Sequence, residues 1–384
     1  MHICYLCNEY PPLPHGGVGS VTYTLAHAVA RAGHEVSVVG IDSTARERSA
    51  RWDEDVRVIQ TPHTKVPQMG YLVGGRRLRN ELAELHRAHP IDVLEGAETS
   101  MAFLDPGFPA ARAIRMHGGH HFFSVTLGGK PKRWSAWQER KSFTRAQRLC
   151  AVSRFVADRT KELLGLSRRE ITVIPNGVDT DVFRPAPERE EPGKIVFFGA
   201  LAEKKGVRQL ISAMDRILSV APFASLTLAG RDTVDPRTGA SFGAELRRMS
   251  AHLGDRIRFA GALPRMKLSE LVATASVCAL PSHMEALPMA WLEAMAMGKA
   301  LVASTTGPGP EVVEDSVSGM LCDPHDPDAI AVRIIRLLTD PQRRRAMGAA
   351  ARQRVEKHFS LHTLLDRNLE FYESCCSRTH NCAA

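Results

Sequence analysis

Short apolar runs rich in β-branched residues alternate with helix-length stretches whose apolar positions recur every three to four residues, from one end of the chain to the other. That alternation predicts α/β architecture with parallel sheets. In the first half the pattern predicts strands at His2–Cys7, Glu35–Ile41, Val56–Gln60, Asp92–Glu95, Ala113–His117, Arg148–Val152 and Thr172–Ile174. Val21–Arg31 reads as a helix stopped by Gly33, and His34 opens the next strand, which completes a βαβ unit.

The stretch Phe183–Gly193 is rich in proline and charge and almost free of apolar residues, so it reads as a linker. The alternation then restarts. Strands are expected at Lys194–Phe198, Ser225–Ala229, Ile257–Gly261, Val277–Leu280, Ala300–Ala303 and Met320–Cys322. Helices are expected at Gly206–Leu218, Ala244–His252, Lys267–Ala273, Pro288–Met297, Pro327–Leu338 and Pro341–His358, with a last one near Leu361–Tyr372. The expected domains are residues 1–184 and 194–358, with 359–384 as a final helix and tail. A chain of 384 residues exceeds what one core usually supports, which agrees with two domains. Parallel sheets bind ligands at the carboxyl ends of their strands, so two such domains facing each other would hold a ligand in a cleft.

Composition adds three points. No apolar run approaches the ~20 residues that cross a bilayer, and the first apolar run lacks a basic leader segment, so the expected compartment is the cytoplasm. Most of the eight cysteines lie in or beside strands and read as buried thiols, Cys4-x-x-Cys7 included. The net charge of +8 is uneven: residues 111–170 carry 14 Lys/Arg against 4 Asp/Glu. Within them, Lys130, Lys132 and Arg133 adjoin Trp134 and Trp137, which suits peripheral contact with an anionic membrane face. The simpler reading is a solvated basic helix face whose tryptophans pack inward. No nucleic-acid-binding signature is present.

Candidate chemistry sits just after strands. Glu285 lies in the loop between the strand ending at Leu280 and the helix opening at Pro288, and Glu293 follows eight residues later. A carboxylate there can accept hydrogen bonds from sugar hydroxyls, and the amides of Met289 and Ala290 can receive phosphate oxygens at the positive helix end. The alternative is that Glu285 only complements the helix dipole and Glu293 is a surface residue. Gly199–Gly206 leaves the first strand of the second domain, and Lys205 beside Gly206 suits a diphosphate clamp. The Gly16-Gly17 turn lets backbone amides approach a ligand, although it is no dinucleotide fingerprint. His117 ends a strand, where it can donate to a hydroxyl or carry a proton. His120 and His121 follow as candidate acceptor contacts.

The segment Glu285-Ala-Leu-Pro-Met-Ala-Trp-Leu-Glu293-Ala-Met-Ala-Met-Gly298 resembles the signature of the retaining GT-B glycosyltransferases, the group 1 glycosyl transferase family that includes sucrose synthase and phosphatidylinositol mannosyltransferase. The likeness continues through Ala300-Leu-Val-Ala, Gly307, Glu311 and Ser318–Pro324. The resemblance implies the GT-B fold: two Rossmann-like domains facing a central cleft, with the C-terminal helix crossing back to the first. It implies that Glu285 contacts the donor sugar, that Glu293 holds the ribose hydroxyls, and that Lys205 neutralises the donor diphosphate. It places His117 near the donor sugar, Gly16-Gly17 against donor phosphate and acceptor, and Glu311 near the donor. Ala200 stands where the family carries an arginine, and Lys204 or Arg231 is expected to replace that charge. Val173–Phe183 resembles the segment at the join between domains.

The expected activity is transfer of a sugar from a nucleotide diphosphate donor, UDP-linked before GDP-linked, to a hydroxyl acceptor with retention of configuration. The acceptor class stays open among carbohydrate, lipid-linked and small-molecule forms. No cofactor and no metal are expected, because Asp53-Glu-Asp55, Asp179-Thr-Asp181 and Asp326-Pro-Asp328 all read as loops. Two alternatives share the architecture, a sugar-nucleotide epimerase and a binding protein without transferase activity.

Overall fold

The structure is a computed structural model, and it describes residues 1–13, 16–63, 70–235 and 238–377. The chain divides into two compact units, Met1–Gly177 with the chain from Leu361 onward, and Val178–Ser360.

In the first unit, β1 (His2–Leu6), β2 (Glu35–Asp42), β3 (Ser49–Asp53), β4 (Val56–Pro62), β5 (Val93–Gly96), β6 (Ala111–Met116), β7 (Arg148–Ala151) and β8 (Thr172–Val173) form one sheet. Its order is β3-β4-β2-β1-β5-β6-β7-β8, and only the β3–β4 pairing is antiparallel. Every residue of β1 is buried, as a parallel strand covered on both faces requires. The helices of this unit are α1 (Gly17–Arg31), α2 (Gly70–Ala88), α3 (His120–Thr126), α4 (Arg133–Arg145) and α5 (Arg154–Leu164). α1 starts four residues before the expected Val21, so the glycine turn forms its first turn. His120 and His121 open α3 and do not lie in a loop.

The tryptophans of α4 pack inward only in part, both rings lying against Phe103. Glu139, Ser142 and Phe143 take the inward positions of that helix, and Trp134 and Trp137 remain 43% and 41% exposed.

The second unit is a six-stranded, all-parallel sheet of β9 (Lys194–Phe198), β10 (Ser225–Ala229), β11 (Ile257–Gly261), β12 (Val277–Leu280), β13 (Ala300–Ser304) and β14 (Met320–Cys322). The order is β11-β10-β9-β12-β13-β14. Its helices are α6 (Val207–Val220), α7 (Phe242–Met249), α8 (Arg265–Ala273), α9 (Met289–Ala296), α10 (Gly309–Val312), α11 (Pro327–Leu338) and α12 (Pro341–His358). α11 and α12 begin alike, with an aspartate cap before a proline. Asp326 accepts the amides of Asp328 and Ala329, and Asp340 accepts that of Arg343. Asp326-Pro-Asp328 is thus a helix start.

The stretch read as a linker belongs to the second unit. Phe183 is fully buried there, Glu190 pairs with Arg344 at 2.8 Å, and the Glu191 amide donates to the Thr274 carbonyl. Its composition is that of a linker, but one buried aromatic and one half-buried ion pair fix it in place. The chain passes between units at Gly177–Val178 and again at Ser360–Leu361.

The last helix, α13 (Leu361–Ser377), packs on the first unit. Leu364, Phe371, Tyr372 and Cys375 join the core that holds Ile3, Tyr5, Val38 and Ala113. Beneath it Arg115 donates to both oxygens of Glu95 (2.8 and 3.0 Å) and to Asn368 Oδ1 at 2.7 Å, and the Tyr5 and Tyr372 hydroxyls meet at 3.1 Å. This buried charge is acceptable because it is paired and hydrogen-bonded. Among the described residues no helix is long and apolar enough to cross a membrane.

Candidate functional site

Strand order reverses between β9 and β12 in the second unit, the point at which open α/β sheets bind ligands. The loops leaving β9, β12 and β13 are tied together there. A Cβ on Gly206 would lie 2.0 Å from the Pro281 carbonyl oxygen, and Gly206 has φ +68°, so only glycine permits this approach. The His283 amide donates to the Lys204 carbonyl at 2.8 Å, and Thr306 Oγ1 donates to the His283 carbonyl at 2.9 Å.

This packing joins two residues 80 positions apart: Lys205 Nζ donates to Glu285 Oε1 in a short ion pair. Both side chains are mostly buried, so neither charge is solvated freely. Lys204 lies beside them; burial lowers its ammonium pKa and Glu285 raises it. Pro288 precedes α9 without a side-chain cap, and the amides of Met289 and Ala290 meet no protein acceptor among the described residues. They form an open positive helix end near Glu285 in the chain. Glu293 lies one turn further along α9, where burial raises its carboxyl to about 7 and Arg265 opposes the shift. Glu311 is on the single turn α10, with its carbonyl bound by Arg354.

Ala200 leaves its position without a cation, and Arg231 lies across from it. The Leu201 amide donates to the Arg231 carbonyl at 2.8 Å, and a Cβ on Gly230 would collide with the Gly199 carbonyl at 1.7 Å. The two loops therefore cross in backbone contact. The Arg231 side chain is exposed and has no partner among the described residues.

In the first unit the reversal falls between β1 and β5. The Gly16-Gly17 turn is occupied by the protein itself: Glu9 accepts the amides of Gly16 (3.1 Å) and Gly19 (2.8 Å). Gly17, however, has no protein atom within 4 Å of where a Cβ would stand, so the fold itself does not demand glycine there.

The turn after β6 rests on two buried carboxylates that no sequence pattern singles out. Glu98 accepts the His117 amide at 2.6 Å, and Glu139 accepts the His121 amide at 2.9 Å. Burial, with Glu139 adding to it, pushes Glu98 up to about 8. A Cβ on Gly119 would meet Glu139 Oε1 at 1.9 Å and Glu98 Cγ at 2.9 Å, so both carboxylates converge beneath that glycine. Burial, reinforced by Arg115, pushes His117 down to about 3; the imidazole is neutral near pH 7 and suits a hydrogen bond better than a proton relay.

His120 and His121, the candidate acceptor contacts, are both engaged within the protein. The His120 ring accepts the Lys132 amide at 2.7 Å, and His121 is buried with Nδ1 against Glu139. Both hold the turn. The sequence signal for their role is only that a histidine pair opens a helix.

Among the described residues no three His, Cys, Asp or Glu side chains gather as a metal site. The described cysteines form no disulfide and are mostly buried, and burial pushes the Cys4 and Cys7 thiols up. Cys382 lies outside the described residues.

Two family descriptions match the chain in succession: Glycosyltransferase Family 4 over residues 15–182 and Glycosyl transferases group 1 over residues 179–354. A glycogen synthase from Mycobacterium tuberculosis is 30% identical, over 97% of this chain and 94% of its own. A GDP-mannose-dependent monoacylated alpha-(1-6)-phosphatidylinositol monomannoside mannosyltransferase from Corynebacterium glutamicum is 27% identical, over 96% of each. In structure, sucrose-phosphate synthase from Thermosynechococcus elongatus superposes with a TM-score of 0.82 at 22% identity, over 98% of this chain and 99% of its own. HepE from Anabaena in complex with UDP and glucose gives 0.75 at 19% identity, over 97% and 99%. With its two parallel-sheet units, the glutamate pair on β12–α9 and relatives that match it over nearly the whole length, the chain belongs to the group 1 glycosyltransferases and has the GT-B fold.

Proposed function

We propose that the chain transfers a hexose from a nucleotide diphosphate donor to a hydroxyl acceptor with retention of configuration and without a metal ion, UDP being favoured over GDP. The observation that carries this reading is the Lys205–Glu285 pair beside the open amide end of α9. Lys205 and the amides of Met289 and Ala290 are assigned to the diphosphate, whose charge grows as the glycosidic bond breaks. Splitting the ion pair on donor entry leaves Glu285 able to accept from sugar hydroxyls while Lys205 turns to phosphate. Glu293 is assigned to the ribose hydroxyls. Arg231 is assigned the charge that Ala200 cannot supply, Gly199 the close backbone approach, and Glu311 a supporting place beside the donor.

Neutral His117 is assigned a hydrogen bond to a sugar hydroxyl, and Gly16 and Gly17 the approach of ligand to backbone. For the Gly16 amide to bind a ligand, Glu9 must first release it. The acceptor hydroxyl attacks the face that the diphosphate leaves, which accounts for retention. HepE in complex with UDP and glucose supports the UDP assignment, while the mannosyltransferase, GDP-mannose-dependent by name, keeps GDP as the second candidate.

Calorimetry with UDP and GDP, with and without EDTA, tests the reading on the wild type, Lys205→Ala, Glu293→Ala and Arg231→Ala. One nucleotide should bind without metal, and each substitution should weaken it about tenfold or more, as loss of a charge-assisted hydrogen bond does. Unchanged affinity in Lys205→Ala would remove the diphosphate assignment. Unchanged affinity in Arg231→Ala would remove only the compensation for Ala200. The anomeric configuration of the product, read by NMR, tests retention.

A further inference from the structure

The outer face of α4 is built unlike an ordinary solvated helix. Its period brings Arg133, Trp134, Trp137, Arg140, Lys141 and Thr144 to one side, opposite the buried Glu139, Ser142 and Phe143. Trp134 and Trp137 are about two-fifths exposed, and their rings stack at 4.9 Å with 21° between planes. Leu127, at the end of α3, is 50% exposed, and Lys130 and Lys132 lead into the helix. From Gly128 to Arg145 the only acidic residue is Glu139, which lies inward. The exposed face therefore carries cations and aromatic rings with no carboxylate to offset them.

A shallow cavity of about 400 Å³ opens at the same helix, edged by Arg140, Arg168 and Arg169. The Arg169 guanidinium is fixed by the carbonyls of Phe143 and Ala146, so one wall of the cavity is held in place. An arginine-lined concavity favours an anionic group.

From this arrangement we infer that the α3–α4 face docks on an anionic lipid bilayer, the tryptophan pair entering the headgroup region and the arginine-edged cavity receiving an anionic headgroup. Paired tryptophans ringed by lysine and arginine suit that interface, being apolar in body with a polar N–H. Stacking on a sugar or on nucleic-acid bases needs open ring faces, and here the rings are engaged. Trp137 has Trp134 against its ring and Lys141 Nζ 4.6 Å from its centroid. The face also connects to the site. The Lys132 amide donates to the His120 ring, so the patch is hydrogen-bonded to the turn that carries His117. On the transferase reading, this makes an acceptor held at a membrane the fitting class.

Vesicle flotation of the intact protein tests the inference and needs neither donor nor acceptor. Vesicles of phosphatidylcholine alone are compared with vesicles holding 30% phosphatidylglycerol, a composition on the order of anionic cell membranes. The wild type should float with the anionic vesicles and be released by salt. The triple change Lys130→Gln, Lys132→Gln, Arg133→Gln should weaken binding roughly 100-fold, at about fivefold per charge. In a Trp52→Phe background, which removes the other exposed tryptophan, emission should shift to the blue on the anionic vesicles. Trp134→Ser with Trp137→Ser should abolish that shift. Circular dichroism and unchanged nucleotide binding would show these variants to be folded. Lys205→Ala should float as the wild type does, so a failed donor site and a failed membrane face remain distinguishable. Equal flotation with both vesicle types, or an emission spectrum that does not move, would each overturn the inference.

Discussion

Glu293 and Glu98 are the residues whose environment most changes what they can do near neutral pH. Glu293 titrates at about 7 because burial disfavours its charge. If ribose hydroxyls donate to its carboxylate, the ligand prefers the ionised form and a proton competes with it. Donor affinity should therefore rise as pH rises from 6 to 8, and the rise should be absent in Glu293→Gln when both proteins are titrated by calorimetry. Glu98 titrates at about 8, above the ordinary carboxyl value, again chiefly through burial. The folded chain then holds that proton more tightly than the unfolded one. Its contribution is greatest below the unfolded pKa and is lost as pH rises toward 8. Urea unfolding at pH 5 and pH 8 should show stability falling across that interval, with the fall reduced in Glu98→Gln.

Among the elements, the loops after β9 and β12 are matched by a glycine. Gly206→Ala forces a Cβ against the Pro281 carbonyl at a backbone angle that disfavours side chains, so it should cost about 2 kcal/mol or more. It should also weaken nucleotide binding, since Lys205 precedes it. Gly17→Ala is the contrast: open space surrounds the position, so stability should stay within about 0.5 kcal/mol while turnover falls. Thermal unfolding alongside activity separates the two.

Most elements of the second unit are legible because strands such as β12 and β13 are continuous buried apolar runs and helices such as α11 and α12 open at Asp-Pro, whereas the single turn α10 is too short to leave a period. In the first unit the sequence pattern marks no helix between α1 and α13. β3 was missed because Ser49–Asp53 is a largely exposed, charged edge strand with no apolar alternation. Glu98 and Glu139 were invisible for another reason. A single glutamate carries no periodic signal, and only the fold shows two of them converging under Gly119. The sequence leaves the exposure of Trp134 and Trp137 open between two readings, because composition cannot say which side of a helix meets the core. The Lys205–Glu285 contact shows the reverse: two residues named separately from their loops meet once β9 and β12 pair.

For the molecule as a whole, the two units differ in how they use the chain. The second is one continuous segment, Val178–Ser360, whereas the first is completed by α13. A fragment of residues 178–360 should unfold cooperatively by itself. A chain ending at Ser360 should lose the first unit, because Arg115 and Glu95 would sit under an uncovered apolar face. Limited proteolysis of the truncated chain should leave the second unit intact and degrade the first. The same division sets an order of events during synthesis. The strands of the first unit leave the ribosome early, but the helix that closes them is made only after residues 178–360, a wait of roughly 10–40 s at ~5–20 residues per second. The unit made first is thus finished last, and during that interval its open β1–β5–β6 face is exposed to any protein that binds nascent chains.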